Sequence, residues 1–212
     1  MKFQKIDFQT WERAKEFRFF MDNLRNVLSI TVDLDITAFM RRIRDRKQKF
    51  YPSMLWAVSK VVNAHEEFRV GRNAAGEYGL YDFVSPYYAQ FYKQDEKFAK
   101  LVTEYSPDEA EFCKRFSEDA VRYQDLRGFD FAAPPNVFDV SCLPWTHYRA
   151  FDVHVFDAGD YLAPVVTWGK FEERGGKCIL PFSFNIHHAV ADGFHVCRFL
   201  NELQELLKNE QQ

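Results

Sequence analysis

Apolar residues recur at helical spacing in five stretches of the chain. Trp11, Ala14, Phe17, Met21 and Leu24 follow one another at three- and four-residue steps, and Ile36, Phe39, Met40 and Ile43 form an i, i+3, i+4, i+7 stripe. Asp35 is placed to cap that second helix. Met54, Val58, Val61 and Val62 come after Pro52, which suits a first helical turn. Ser106-Pro107-Asp108-Glu109 reads as a capping box with Pro at the first helical position, opening a helix through Ala110, Phe112, Cys113, Phe116 and Ala120. Val196, Phe199, Leu200, Leu203, Leu206 and Leu207 share one face of a final helix. Strands are predicted where the period falls to two. Phe151, Val153 and Val155 alternate with Asp152 and His154, and Leu180, Phe182, Phe184 and Ile186 alternate with Pro181, Ser183 and Asn185. Shorter β-like runs lie at 27–32, 87–92, 98–102, 137–142 and 163–171. Early helices, a strand-rich middle and a late helix predict an α+β sandwich. The turn-rich clusters at 71–76 and 132–136 are loop-sized, and neither divides the chain into halves of different composition, so a single domain over residues 1–212 is expected.

Composition narrows the class. A chain of 212 residues, 47% hydrophobic and 28% charged, can bury a real core and is neither disordered nor membrane-embedded. No apolar run approaches the roughly 18 to 20 residues a membrane span needs. The opening MKFQKIDFQTWER lacks the apolar stretch of a signal peptide, so a cytoplasmic setting is expected. A net charge of −3 argues against nucleic acid as a partner. Four cysteines without C-x-x-C spacing read as buried free thiols. With 23 phenylalanines, the interior or a pocket should be walled by rigid rings.

The stretch that carries chemistry is Ile186-His187-His188-Ala189-Val190-Ala191-Asp192-Gly193-Phe194-His195, between the alternating strand and the last helix. A strand-to-helix turn holds reacting side chains from two rigid ends. A histidine there, with an ordinary pKa of about 6.5, suits a general base. His188, Asp192 and His195 at i, i+4 and i+7 are also spaced for a metal on one helical face. Gly193 interrupts that face and no H-E-x-x-H glutamate accompanies the pair, so no metal is expected. The plainer alternative is two histidines hydrogen-bonded within a turn.

His187-His188-Ala189-Val190-Ala191-Asp192-Gly193 resembles the H-H-x-x-x-D-G motif of CoA-dependent acyltransferases, and its extension through Phe194-His195-Val196 resembles the chloramphenicol acetyltransferase family, where Cys usually stands at the position of Ala191. Phe50-Tyr51-Pro52, Leu143-Pro144-Trp145, Ala163-Pro164-Val165-Val166-Thr167 and the run Asn201 to Leu206 are similar to that family in order along nearly the whole chain.

The resemblance implies a two-layer α/β sandwich with a mixed sheet and helices on one side, assembled as a homotrimer with active sites between subunits. It implies acetyl-CoA as co-substrate, no permanently bound cofactor, and O-acetylation of a small-molecule alcohol, chloramphenicol being the first acceptor to test. Another hydroxylated small molecule, or a non-catalytic CoA-binding trimer, are the alternatives. By the same resemblance His188 is the base, oriented by a hydrogen bond to backbone, and Asp192 pairs with Arg13 to hold the turn. Ser141 is the oxyanion donor and Thr167 binds the intermediate through water. Lys170 and Trp145 are expected at CoA. Phe19, Phe20, Arg25 and Asn26 fall where the family lines its acceptor pocket, with Phe20 at a position usually occupied by tyrosine.

Overall fold

The structure, a computed structural model, describes residues 1–153 and 161–209. In chain order the elements are β1 (Phe3–Lys5), α1 (Ala14–Asp22), β2 (Val27–Asp35), α2 (Thr37–Asp45) and α3 (Phe50–Asn63), then β3 (Val70–Arg72), β4 (Tyr78–Tyr81), β5 (Ser85–Tyr92) and β6 (Lys97–Val102). α4 (Glu109–Arg122), β7 (Val137–Leu143), β8 (Val165–Gly169), β9 (Glu172–Arg174), β10 (Lys177–His187) and α5 (Gly193–Lys208) complete the chain. Among the described residues, seven strands form one mixed sheet in the order β2-β10-β8-β7-β5-β6, with β9 attached to β10. β7 runs parallel to both β5 and β8, and the other pairings in the sheet are antiparallel. A small sheet, β1-β4-β3, stands apart from it.

The sheet's two faces differ in chemistry, which follows from the period of two along each strand. Register aligns Tyr88, Val140, Val166, Phe184 and Ile30 in one rung across five strands. This face packs under the helices. Phe184 meets Phe199 of α5 at 4.5 Å between ring centres, and Tyr88 meets Phe116 of α4 at 5.2 Å. The next rung, facing the opposite way, is Ser141, Thr167, Ser183 and Thr31. Four hydroxyls thus lie side by side on the face away from the helices, and those of Thr31 and Ser183 share a hydrogen bond of 2.7 Å. Thr167 and Ser183 are nevertheless buried, because residues 146–151 cross this face. The Tyr148 hydroxyl donates to the Thr167 carbonyl at 2.7 Å, and the Phe151 amide to Thr31 Oγ1 at 3.4 Å. Gly169 permits that crossing: a Cβ there would sit 2.8 Å from the Thr146 carbonyl oxygen.

Several local expectations shift. Asp35 ends β2 rather than occupying the cap position of α2, yet its Oδ1 accepts from the Thr37 amide (3.1 Å) and hydroxyl (2.6 Å). α4 starts two residues later than a Pro-first helix would. Asp108 is its cap, accepting from the Glu111 amide at 2.7 Å, while Ser106 Oγ accepts from the Asp108 amide. Residues 151–153 form no strand, because they serve as the cover over the hydroxyl rung; the rest of that predicted strand lies outside the described residues. The cysteines are free, but none is fully buried. Cys113, Cys142 and Cys178 are half-buried and Cys197 is exposed.

Candidate active site

β10 ends at His187, and the following turn is held in place from both sides. Ala189, Val190 and Ala191 are buried in the core. His187, itself buried, uses Nδ1 to accept from the Ala189 amide at 3.0 Å, so the first histidine of the pair shapes the turn. The His188 amide donates to the Asn26 carbonyl at 3.0 Å, fastening the turn to the segment before β2. Asp192 then caps α5. Its Oδ1 accepts from the Phe194 amide (3.0 Å), and His195 Nδ1 accepts from the Asp192 amide (3.2 Å), completing a capping box with His in the usual Glu or Gln position. His195 is therefore a capping residue, and His188, outside the helix, shares no helical face with it. Gly193 opens α5 rather than interrupting it.

Arg13 clamps this turn from the residue just before α1. Its Nε donates to the Ala189 carbonyl at 2.8 Å, one Nη to the His188 carbonyl at 2.9 Å, and the other Nη lies 3.3 Å from Asp192 Oδ2. Burial on its own would raise the Asp192 carboxyl, but His195 in its protonated form, when its Nδ1 donates to Asp192 Oδ1 (2.9 Å) instead of accepting from the amide, together with the hydrogen bond and charge of Arg13, brings it below its ordinary value. The His188 ring lies flat on Phe20, 3.8 Å between centres and 10° between planes, and Phe19 meets Phe20 edge-on at 5.2 Å. The expected hydrogen bond from ring to backbone is not present. His188 Nδ1 is buried without a hydrogen-bond partner among the described residues, and the ring contact with Phe20 is what lies against it. Arg25 turns away, donating Nε to the Met21 carbonyl at 2.6 Å, and lines a different cavity, of about 340 Å³, with Arg18 and Arg72.

Ser141 opens onto a cavity of about 740 Å³, within the usual range for small-molecule sites. Trp145 and Lys170 line it too, with Phe50, Phe91 and Phe171 among its aromatic walls. Trp145 packs edge-on against Phe91 at 4.8 Å. Thr167 Oγ1, beside Ser141 in the rung, is buried without a hydrogen-bond partner among the described residues. Asp139 and Lys100 also line the cavity. They were the readable omission: each is a lone charge in an apolar strand run, Val137-Phe138-Asp139-Val140 and Phe98-Ala99-Lys100-Leu101-Val102.

One chain does not bring the whole candidate set together. Register puts Ser183 level with Thr167 and Ser141, and His188 lies five residues farther along the same run of chain. At about 3.4 Å per residue His188 is displaced roughly 17 Å along the strand direction from this rung, and Ser141 lies two strands to the side of Ser183.

A histidine on a strand-to-helix turn, clamped by an arginine and capped by an aspartate, on a mixed sheet covered by helices on one face, is the arrangement that the resemblance to acyltransferases of the two-layer α/β sandwich kind implies. The family model described as chloramphenicol acetyltransferase matches residues 1–204. The chain belongs to that family. It is 40% identical to a chloramphenicol acetyltransferase of Vibrio anguillarum, across 100% of this chain and 97% of that one, and 39% identical to one of Campylobacter coli, across 98% and 99%. Among solved structures, a chloramphenicol acetyltransferase superposes with a TM-score of 0.85 at 23% identity, covering 98% of this chain and 100% of the other. A dihydrolipoamide acetyltransferase of Azotobacter vinelandii shares the fold at a TM-score of 0.67 and 17% identity, covering 92% and 86%. Among the described residues no helix is long and apolar enough to cross a membrane.

Proposed function

We propose that this protein transfers the acetyl group of acetyl-CoA to a hydroxyl of a small molecule, with chloramphenicol, named in its relatives, as the first acceptor, and that it works in the cytoplasm as a homotrimer. His188 Nε2 takes the proton of the acceptor hydroxyl as that oxygen attacks the thioester carbonyl. The tetrahedral oxyanion accepts a hydrogen bond from Ser141 Oγ, and Thr167 Oγ1 holds the intermediate through a water. Collapse breaks the C–S bond, and the CoA sulfur leaves with the proton held by His188. Arg13 and Asp192 keep the base in position; Phe20, Phe19 and Asn26 stand around it on the acceptor side. Trp145 and Lys170 hold CoA, the ring against the pantetheine arm and the ammonium near a phosphate.

The observation that carries the two-subunit part of this reading is the register that sets His188 roughly 17 Å along β10 from the Ser141 rung. A base must come within about 3 Å of the proton it takes, and an oxyanion donor equally close to the developing charge. His188 and Ser141 of one chain cannot meet those limits on a single acetyl group. The homotrimer reading requires that a second copy, related by rotation, supply one of the two groups. The test is thiol release from acetyl-CoA with chloramphenicol as acceptor. Wild-type protein is expected to turn over, and His188→Ala to lose about 10²- to 10⁴-fold in kcat. Ser141→Ala is expected to lose about 10²- to 10³-fold, with the KM for acetyl-CoA held. Turnover unchanged in His188→Ala overturns the mechanism.

A further inference from the structure

Lys100 and Asp139 form a charged pair in the cavity that also holds Ser141, Gln90, Lys93 and Lys170, and the transfer chemistry uses neither. Lys100 is buried, with 8% of its side chain exposed, and its ammonium donates to Asp139 Oδ1 (2.9 Å), the Tyr87 carbonyl (2.9 Å) and the Val140 carbonyl (3.4 Å). Its three N–H bonds are therefore spoken for. Burial pulls its pKa below the ordinary value and the Asp139 charge opposes that pull. Asp139 keeps 29% of its side chain exposed and lines the cavity. What the pair presents to a ligand is thus a carboxylate oxygen, fixed from behind by a buried cation and able only to accept.

Its position along the cavity is set by β7. Asp139 and Ser141 are alternate residues of one strand and face the same way, about 7 Å apart. Trp145 lies beyond Ser141 in the opposite direction. If the Trp145 and Lys170 end holds CoA, Asp139 stands on the acceptor's side of the reacting carbonyl. By register Phe98 is level with Phe91, which packs on Trp145, so the Phe98–Phe129 pair lies at the Trp145 end, and Asp139, level with Tyr87, is at the other.

We propose that the Lys100–Asp139 pair is the acceptor-specificity element of this enzyme: it selects an alcohol that carries a second O–H or N–H donor, placed to bond the Asp139 carboxylate while the reacting hydroxyl meets the base. The proposal rests on the reading of this cavity as the transfer site. A donor-bearing ligand gains a charge-assisted hydrogen bond, whereas a ligand without one leaves a desolvated carboxylate with an empty lone pair.

The test compares two probes, 1-phenylpropane-1,3-diol and 3-phenylpropan-1-ol, which differ by one hydroxyl. Both are measured by thiol release and, independently, by calorimetric binding to the enzyme saturated with CoA. Removing Asp139 alone strands a buried ammonium, so the variant is Lys100→Met with Asp139→Asn, which removes both charges at similar volume. Wild-type enzyme is expected to prefer the diol by tenfold or more in KM and in Kd, and the double variant to lose most of that preference with the KM for acetyl-CoA unchanged. A second variant, Asp139→Glu, keeps the charge and is expected to keep the preference in part. A diol preference equal in wild type and double variant, or no preference in wild type, overturns the proposal. Retained discrimination in binding without any thiol release overturns the acetyltransferase reading instead and leaves the specificity element standing.

Discussion

Arg13→Ala removes the clamp on the catalytic turn, and its cost follows from the bonds it makes. Two N–H groups reach the carbonyls of His188 and Ala189 at 2.9 and 2.8 Å, and a third lies 3.3 Å from Asp192. A hydrogen bond from a charged donor contributes about 1.5 to 3 kcal/mol. The two carbonyls regain water in the variant, which places each near the lower end of that range. The Asp192 side chain is 40% exposed, so the ion pair adds at most about 1 kcal/mol after solvent screening. The sum is about 3 to 4 kcal/mol. For a chain of this size each kcal/mol moves Tm by about 2 to 4 °C, so a fall of roughly 6 to 16 °C is expected. Arg13→Lys should recover little, because one ammonium cannot span three acceptors held in a fork. Thermal unfolding at fixed protein concentration reads the stability. Steady-state kinetics at a temperature where the variant is folded should show kcat lowered and the KM for acetyl-CoA held, since His188 is displaced and the CoA end of the cavity is not. A Tm drop under 2 °C with kcat unchanged would refute the clamp.

Phe20→Ala removes the ring on which His188 lies; an aromatic stack is worth about 1 kcal/mol, so kcat should fall about fivefold, while Phe20→Tyr keeps the stack and should hold kcat. Equal kcat in all three proteins would show that stacking does not orient the base. Asp192 has a lowered carboxyl pKa in the folded protein, so its contribution to stability is present above the unfolded value of about 3.9 and is lost as pH falls through the lower folded value. Urea unfolding midpoints should therefore decline less below pH 4 in Asp192→Asn than in wild type, and parallel pH profiles would argue against this linkage.

The fold was largely legible because its core elements keep their periods. The β10 alternation from Leu180 to Ile186 and the Val196 to Leu207 stripe of α5 are read directly from spacing, and the turn between them carries the motif. What spacing could not show was anything fixed by register. Ser141, Thr167, Ser183 and Thr31 are scattered over more than 150 positions of chain and meet only because four strands align them. The Lys100–Asp139 pair is likewise a meeting of β6 and β7 across β5. The sequence sets a metal at His195 aside but does not reach its capping role, because a histidine in the third position of a capping box is an unusual choice. Phe20 was noted as a missing hydroxyl, when its ring was the informative part. Helix starts moved by a residue or two where Asp35 and Asp108 accept backbone N–H groups from neighbouring positions.

The central claim, that base and oxyanion donor of one active site come from different copies of the chain, is tested most directly by mixing two inactive variants. His188→Ala and Ser141→Ala proteins, each purified, are unfolded together in equal amounts, reassembled and assayed for thiol release. In random cyclic assemblies a site is intact when its His188 comes from a Ser141→Ala chain and its Ser141 from a His188→Ala neighbour, so about a quarter of sites should be whole and about a quarter of wild-type activity should return. If both residues served a site within one chain, no mixed assembly would contain an intact site, and activity no higher than that of the parent variants would contradict the account.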